Sequence, residues 1–310
     1  MRVYHDLNNF DIESTVITVG TFDGVHFGHR QILNSLISKA REINATPVVF
    51  TFSPHPKTFF QKLENPVLLL NSITEKVNIF KEIGIENVVV YAFDKDFSQT
   101  TFPVFITDFL IERMNMKALI IGHDNHFGKN RTGNFETIKE LSEKFNFEVF
   151  KVPELKDELQ KINSTTIKEL LLKGDLKLAN KLLAYNYKLS GKVIEGLKIG
   201  SKIGFPTANI ELHEKNKLVP ANGVYAVKIK IENSFFDGIL NIGNNPTFIE
   251  KLNAKTIEVH IFNFNENIYN QEIELELIDY LRPEIKFKNK DELIAQIEND
   301  IRIVKNKFRE

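Results

Sequence analysis

The sequence contains no cysteine and no tryptophan, and the missing cysteine limits its chemistry. Without cysteine the chain cannot form disulfides, use a thiolate nucleophile, or hold zinc or iron–sulfur clusters through sulfur. A charge imbalance is also lacking, because 40 basic and 41 acidic residues leave a formal net charge of -1. A protein built mainly to bind nucleic acid or an anionic membrane surface carries a clear basic excess. We therefore expect neither nucleic acid nor a membrane as a partner.

Long apolar runs are absent as well. Runs such as VVVYAF are too short to cross a bilayer, and the first ten residues, MRVYHDLNNF, lack the apolar core of a secretion signal. We therefore expect a soluble, cytoplasmic protein. The chain has 310 residues and a hydrophobic fraction of 42%, which favours two globular domains over one.

The first half of the chain alternates short apolar runs with helix-like stretches. Because the runs are continuously apolar, they indicate strands buried on both faces of a parallel sheet. The predicted strands are residues 14–20, 46–52, 86–93, 118–122 and 147–152. Between the first two, a stripe with helical spacing consists of Ile32, Leu33, Leu36, Ile37, Ala40 and Ile43. This pattern predicts a doubly wound α/β domain, followed by two short helices within residues 165–184.

The second half has a β-rich rhythm. Its predicted strands, divided by turn residues, are YKLSGKVIEG, GVYAVKIKI, FFDGILNIG, TIEVHIFNF and QEIELELIDYL. Several alternate apolar with polar residues, which favours an antiparallel sheet or a small β-barrel. Residues 290–308 carry the apolar stripe of an amphipathic terminal helix. We therefore predict an N-terminal domain of residues 1–185 and a C-terminal domain of residues 186–310.

The segment GTFDGVHFGHR follows the first predicted strand, where a parallel sheet binds ligands and a helix start presents N–H groups. Gly20 and Gly24 permit tight turns, and Gly28 leaves room between two histidines. His26 and His29 are three residues apart, so on a helix they share a face and could both meet one phosphate. Surface histidines, helix-capping histidines and half of a zinc site are the alternatives. A zinc site also needs a third ligand, and no cysteine or obvious His/Glu cluster supplies one.

This segment resembles the H-x-G-H signature of the nucleotidyltransferase superfamily. In its wider form, G-T-F-D-G-x-H-x-G-H, it is similar to the adenylyltransferase half of prokaryotic bifunctional riboflavin kinase/FAD synthetases. The segments TFSPHP, IGHDNHFGKNRTGN and INSTTIKELLLKGDL follow in the family's order. The resemblance implies transfer of AMP from ATP to FMN, with Mg²⁺ bridging phosphate oxygens and pyrophosphate leaving. It makes His26 and His29 the catalytic residues of this half.

The same resemblance implies further binding residues. It implies ATP or phosphate contacts for Gly20, Phe22, Asp23, Gly24, Gly28, Ser164, Thr165 and Lys168. It implies flavin contacts for His55, Asp124 and Asn125.

Several of these residues could instead serve the fold, and others depart from the family's pattern. Residues 164–165 stand at a helix start and could serve only as caps, and His55 between two prolines could be structural. Lys168 stands where the family usually has arginine, so a point charge replaces a planar fork. Asn125 and His126 replace a more usual aromatic and a more usual basic residue. A riboflavin kinase with a weakened or inactive adenylyltransferase domain is therefore an alternative hypothesis.

The segment GFPTAN in the second half joins glycine and proline to two hydrogen-bonding side chains. A turn without chemistry has the same composition, but the segment closely resembles the P-T-A-N signature of riboflavin kinases. The segments GVYAV, NIGNNPTF, TIEVHIFNF and YLRPEIKF are further matches.

The kinase resemblance also implies residue roles. Thr207 and Asn209 would be ligands to Mg²⁺ and ATP phosphate, since a hard cation selects oxygen donors, and Gly204 would contact ATP. Glu258 would be the catalytic base beside the ribityl hydroxyl of the flavin, and Arg282 would contact the flavin. Without the resemblance, a glutamate on an alternating strand is usually a solvated residue.

We therefore predict one polypeptide with two ATP-dependent reactions, riboflavin to FMN in the C-terminal domain and FMN to FAD in the N-terminal domain. Its expected partners are small molecules: riboflavin, FMN, FAD and ATP. A non-catalytic carrier or regulator on the same scaffold would instead bind flavin without turning over ATP. The sequence does not predict the oligomeric state.

Overall fold

The structure is a computed structural model that describes residues 1–60, 67–122, 135–153, 162–196, 199–244 and 255–309. The chain divides into two compact units, Met1–Ser164 and Thr165–Glu310. We call them the first and second units. The domain boundary between residues 185 and 186 stays a prediction.

The first unit is built on a six-stranded parallel sheet. Its strands are β1 (Arg2–Tyr4), β2 (Thr15–Val19), β3 (Thr46–Ser53), β4 (Asn87–Ala92), β5 (Met116–Ile121) and β6 (Glu148–Lys151). They lie in the order β1-β4-β3-β2-β5-β6, and every pairing is parallel. From β2 the sheet grows one way through β3 and β4 and the other way through β5 and β6. The predicted doubly wound α/β fold is confirmed, while the short edge strand β1 was not predicted.

The described helices of this unit connect the strands. They are α1 (Phe27–Glu42), α2 (Pro56–Phe60), α3 (Ile73–Ile83), α4 (Lys95–Ser98), α5 (Phe102–Val104), a π-helix (Phe105–Arg113) and α6 (Phe135–Phe145). Helix α1 buries Ile32, Leu33, Leu36 and Ala40, four residues of the predicted stripe. Strand β2 is buried at all five positions, which explains its continuously apolar, β-branched sequence.

The second unit contains a closed antiparallel barrel in the order β10-β11-β8-β7-β12-β9. These strands are β7 (Lys188–Ile194), β8 (Ala208–Leu212), β9 (Gly223–Ile231), β10 (Ser234–Asn244), β11 (Lys255–Ile261) and β12 (Glu272–Arg282). Its described helices are α7, which starts at the end of the first unit (Ser164–Lys173), α8 (Leu176–Leu183), α9 (Ile199–Lys202) and α10 (Lys290–Lys307). The predicted barrel, paired short helices and terminal helix are confirmed. Strand β8 was missed, because it begins directly after the proline turn of GFPTAN.

Alternation along the barrel strands positions the polar residues. On β11, Ile257, Val259 and Ile261 are buried, whereas the intervening Glu258 and His260 are partly exposed. Helix α10 packs on the barrel through the predicted stripe, with Val304 fully buried. No described helix has both the length and the apolar character that a membrane span requires.

Candidate active sites

The segment after β2, residues 20–30, lies where the strand order of the first sheet reverses, between β2 and β5. We call it the histidine turn. Open α/β sheets bind ligands at this position, outside the carboxyl ends of the strands. Phe22, Gly24 and Val25 have positive φ angles of 47°, 89° and 38°. Positive φ is uncommon for residues other than glycine and clusters at functional sites. The turn is therefore a strained backbone segment, held in place by its surroundings.

Several backbone carbonyl groups of the histidine turn accept hydrogen bonds. Three of these bonds run from Lys76 Nζ to Thr21 O (2.6 Å), from Val25 N–H to Phe22 O (3.1 Å) and from Ser164 Oγ to Asp23 O (2.8 Å). Carbonyl oxygens repel anions. Because these oxygens accept hydrogen bonds from the protein itself, the turn is better suited to binding phosphate. Gly20 and Gly28 lie against the rings of Phe22 and His26.

The side chain of Asp23 is buried and anchors the turn. Its Oδ1 accepts a hydrogen bond from the N–H of Leu70 at 2.7 Å, which ties the turn to the segment before α3. These contacts give Asp23 a structural role, and its contact with phosphate stays a prediction.

His26 is the N-cap residue of α1. Its Nδ1 accepts a hydrogen bond from the N–H of His29 at 3.4 Å. A neutral imidazole that accepts at Nδ1 carries its proton on Nε2. The two rings stack with their centroids 3.6 Å apart and their planes 17° apart. The capping alternative therefore holds for His26. The two rings lie together as their spacing predicts, and their contact with a phosphate stays a prediction.

His29 lies in surroundings that keep it neutral. Burial lowers the pKa of His29 well below its ordinary value of 6.5, and repulsion from Lys76 and from the protonated form of His26 lowers it further. Among the described residues, no hydrogen-bond partner reaches the buried Nδ1 of His29. Buried unpaired polar atoms are rare in native proteins. This histidine therefore has the features of a functional residue rather than a stabilising one.

Lys76 of α3 is a site residue that the sequence analysis missed. It is only 5% exposed, and burial lowers its pKa to about 8, although the charge of Asp23 opposes the shift. Lys76, Ile79, Phe80 and Ile83 follow one helical face, so the available signal was a lysine within an apolar stripe.

The remaining residues predicted for this site have separate positions. His55 precedes α2, and its Nδ1 accepts a hydrogen bond from the N–H of Lys57 at 3.1 Å, which supports the structural alternative. Thr165 and Lys168 lie on α7 within the second unit. Asp124 and Asn125 lie outside the described residues. Flavin or phosphate contacts by these residues stay predictions.

An aromatic surface near the ends of β3 and β4 was also missed. We call it the phenylalanine cluster, and its rings, with centroids 5.3–5.8 Å apart between contacting neighbours, are Phe52, Phe59, Phe60, Phe93 and Phe97. Phe60 is 68% exposed and Phe59 39% exposed. Strand β3 neighbours β2, so this surface and the histidine turn both lie at the carboxyl edge of the sheet. Exposed aromatic rings offer a stacking face to a planar ligand.

The barrel brings the predicted kinase residues together. Glu258 on β11 lies directly opposite Asn209 on β8, and Thr207 Oγ1 donates a hydrogen bond to Glu258 Oε2 at 3.4 Å. Their hydroxyl, amide and carboxylate oxygens are the donors that a hard cation such as Mg²⁺ prefers. Within the described ranges, no three or more His, Cys, Asp or Glu residues gather as metal ligands. A cation here would therefore also need oxygens from its substrate.

Asn241 on β10 lies opposite Glu258 on the other side. Directly paired residues point to the same face of a sheet, so Asn241, Glu258 and Asn209 form a row across three strands. We call it the barrel row. Asn241 was missed because its place depends on the register between strands.

Two more residues support the barrel row. A Cβ on Gly196 would lie 2.0 Å from Asn209 Nδ2, so only glycine leaves this amide in place. His260, two residues after Glu258, has its Nδ1 2.8 Å from the carbonyl oxygen of Pro206. A carbonyl only accepts, so Nδ1 carries the proton and holds the turn before Thr207. Gly204, with φ of 93°, lies exposed in that turn.

Arg282 has a structural partner. Its Nε and Nη2 donate to Oδ2 of Asp300 on α10 at 3.0 and 2.7 Å. Asp300 is 2% exposed, so this buried ion pair ties the end of β12 to the terminal helix. Contact between Arg282 and flavin stays a prediction.

Family models match both units. An FAD synthetase model matches residues 9–166, and a riboflavin kinase model matches residues 183–308. Relatives include the bifunctional riboflavin kinase/FMN adenylyltransferase of Buchnera aphidicola subsp. Schizaphis graminum, which is 39% identical over 311 residues. The alignment covers 99% of this chain and 98% of that protein. The protein of the same name from Haemophilus influenzae is 38% identical over 309 residues, with the same coverage.

A solved structure has the same fold along the chain. It comes from Streptococcus pneumoniae, has a TM-score of 0.87 and 30% sequence identity, and aligns over 98% of both chains. It is described as a macrolide-efflux protein. That description differs from the names of the curated relatives, whereas both family models agree with those names.

Proposed function

The chain belongs to the family of bifunctional riboflavin kinase/FMN adenylyltransferases, and we propose that its two sites divide the family's two reactions. The barrel row converts riboflavin and ATP into FMN and ADP. The histidine turn converts FMN and ATP into FAD and pyrophosphate. The single observation that carries this division is that each unit holds its own set of polar side chains suited to phosphate chemistry.

At the histidine turn, a phosphate oxygen of FMN attacks the α-phosphorus of ATP in line, and pyrophosphate leaves. This reaction needs no covalent nucleophile, because positioning and neutralisation of developing charge provide the catalysis. We propose that His26 and His29 donate hydrogen bonds to the phosphate oxygens at the start of α1, where the helix dipole favours an anion. The lowered pKa of His29 supports its role as a neutral donor. Ser164, Thr165 and Lys168 are the further phosphate contacts that we propose.

For the flavin of this half-reaction we propose the phenylalanine cluster. The exposed faces of Phe59 and Phe60 suit the planar isoalloxazine ring, and their edge of the sheet is the edge that carries the histidine turn. The flavin contacts that the resemblance implies for His55, Asp124 and Asn125 remain part of this proposal.

At the barrel row, we propose that Glu258 accepts the proton of the ribityl hydroxyl as that oxygen attacks the γ-phosphorus of ATP. Thr207 and Asn209 would hold ATP phosphate and Mg²⁺, which when bound neutralises charge on the phosphate oxygens. Asn209 and Asn241 flank the carboxylate and can orient it. His260 maintains the turn that presents Thr207.

Product analysis tests the proposal directly. The full chain is incubated with riboflavin, ATP and MgCl₂, and the flavins are separated over time. We expect FMN to form first and FAD to follow, with both reactions stopped by EDTA. FMN without FAD would support the kinase-only alternative. Flavin binding without consumption of ATP would support the carrier alternative. A cytoplasmic location stays a prediction.

A further inference from the structure

The ammonium group of Lys76 is a buried charge that the proposed roles leave unexplained. Charged side chains are almost never fully buried without a partner, because removing a charge from water is costly. The hydrogen bond described for Lys76 Nζ goes to the neutral carbonyl of Thr21, at 2.6 Å. Asp23 is the carboxylate whose charge acts on Lys76, and its own Oδ1 accepts from the N–H of Leu70. Because burying this charge costs free energy, Lys76 is a candidate for a functional role.

The hydrogen bond from Lys76 fixes the orientation of one peptide group in the histidine turn. A trans peptide is planar, so its C=O and N–H point in opposite directions. The carbonyl of Thr21 points inward, toward Lys76. The N–H of Phe22, which belongs to the same peptide group, therefore points outward. Helix α3 supplies a rigid support, because Ile79 and Phe80 are buried and a capping box of Ser72 and Glu75 closes its first turn.

We propose that Lys76 is a positioning residue for AMP transfer, which fixes the Thr21–Phe22 peptide with its N–H outward and places a positive charge behind the bound triphosphate. This inference rests on the function proposed for the histidine turn. It assigns to α3 a part in the reaction that none of the sequence motifs indicates.

The charges around Lys76 agree with such a role. In the described part of the chain, Asp23 in the turn and His29 on α1 are the titratable groups whose charges act on Lys76 or respond to it, and His26 stacks on His29. Burial is the main cause of the lowered pKa of His29, and a charged Lys76 lowers that pKa further by repelling the protonated form of the histidine. In the free enzyme the lysine loses its charge as the pH rises through about 8. A bound triphosphate would oppose that loss.

The test compares full-length Lys76→Met and Lys76→Arg with Lys81→Met, an exposed lysine on the same helix. We expect Lys76→Met to lower kcat/KM for ATP in the conversion of supplied FMN to FAD by about 10–100-fold, the usual range for a charged hydrogen bond. Formation of FMN from riboflavin should not change, and Lys81→Met should affect neither reaction. Above pH about 8 the wild-type kcat/KM should fall. Lys76→Arg, which stays charged, should not show that fall.

A second measurement distinguishes the positioning role of Lys76 from a contribution to the stability of the fold alone. The chain has eight histidines, so labelled imidazole NMR can follow each one. Replacing Lys76 by methionine should raise the pKa of His29, because a nearby positive charge is removed. Replacing Lys81 should leave it unchanged.

Chemical rescue covers the case in which Lys76→Met folds poorly. The chain has no cysteine, so Lys76→Cys creates a unique thiol. Aminoethylation of that thiol in denaturant, followed by refolding, restores an ammonium group at nearly the length of lysine. Recovery of FAD formation in the alkylated protein, but not in the unmodified variant, would support the inference.

The possible failures are distinguishable. Wild-type protein that makes no FAD from supplied FMN would reject the proposed function itself. Wild-type protein that makes FAD, with Lys76→Met equally active and the His29 pKa unmoved, would overturn the role of Lys76 alone. If only the alkylation experiment is interpretable, equal activity before and after alkylation would overturn it.

Discussion

The two sites hold their polar groups by different means. At the histidine turn, residues with positive φ and buried side chains create the site. Its anchors come from α3, from the start of α7 and from β3, where Phe50 O accepts a hydrogen bond from the N–H of Gly20. At the barrel row, ordinary strand residues stand side by side because of antiparallel register, and they remain partly exposed. The first site therefore depends on backbone conformation and burial, whereas the second depends on the spacing of side chains.

The same difference extends to ionisation. Burial in the first unit brings the pKa of Lys76 down to about 8 and keeps His29 neutral. In the barrel, burial raises the pKa of Tyr225 and Tyr280, which moves their titration further from neutral pH. FAD formation should therefore be the more sensitive of the two reactions to pH between about 7 and 9.

Gly196→Ala should produce the larger effect of two glycine replacements and tests the dependence of the barrel row on spacing. Its Cβ would overlap the amide of Asn209, which is free to rotate away, so stability should change little. Displacing a positioned group by about 1 Å can cost about 100-fold in rate. We expect a loss of about that size in FMN formation from riboflavin, with FAD formation from supplied FMN unchanged.

Asn209→Ala provides the matched comparison for Gly196→Ala. If the glycine acts through this amide, the double variant should lose no more activity than Asn209→Ala alone. Additive losses would show that Gly196 acts in another way.

Gly24→Ala tests the dependence of the histidine turn on its backbone. Alanine at φ of 89° costs about 1–2 kcal/mol and should shift the turn. We expect FAD formation to fall about tenfold while FMN formation persists. Gly84, at the end of α3 with φ of 97°, is the control. Gly84→Ala should cost similar stability without slowing FAD formation, and an equal loss of activity would contradict the special role of the turn.

A further expected effect, on stability rather than on rate, is a pH-dependent difference in the free energy of unfolding. Lys76 has a folded-state pKa of about 8, below its ordinary value of 10.5. Between these values the unfolded chain binds more protons, so the free energy of unfolding rises with pH. We expect a gain of about 1–3 kcal/mol between pH 8 and 10 that is absent in Lys76→Met.

Hydrogen exchange measures this gain separately in each unit. The difference between wild type and Lys76→Met should appear in the amides of β2 and β5. An equal difference in the amides of β9 and β12 would contradict a local origin.

Features that depend on local sequence could be predicted. The apolar runs of residues 46–52 and 86–93, the stripe of α1 and the alternation in the barrel strands each follow from a short-range pattern. The pairing of His26 with His29 follows from helical spacing. Strand β8 was missed because a proline turn directly precedes it.

Features that depend on tertiary structure could not be predicted. Lys76 reaches the histidine turn only because α3 packs beneath it, and Asn241 reaches Glu258 only through strand register. In the sequence, Gly196 has the pattern of an ordinary turn residue, and its close approach to the amide of Asn209 depends on the tertiary structure. Arg282 was predicted to contact flavin from the resemblance alone, and its ion pair with Asp300 depends on where α10 packs.

The most direct test of two separate sites compares His29→Ala with Glu258→Ala in both half-reactions. His29→Ala should still make FMN from riboflavin and fail to make FAD from supplied FMN. Glu258→Ala should fail in the first reaction, where a general base contributes about 100–10,000-fold, and retain the second. Loss of both reactions together in either folded variant would contradict the account.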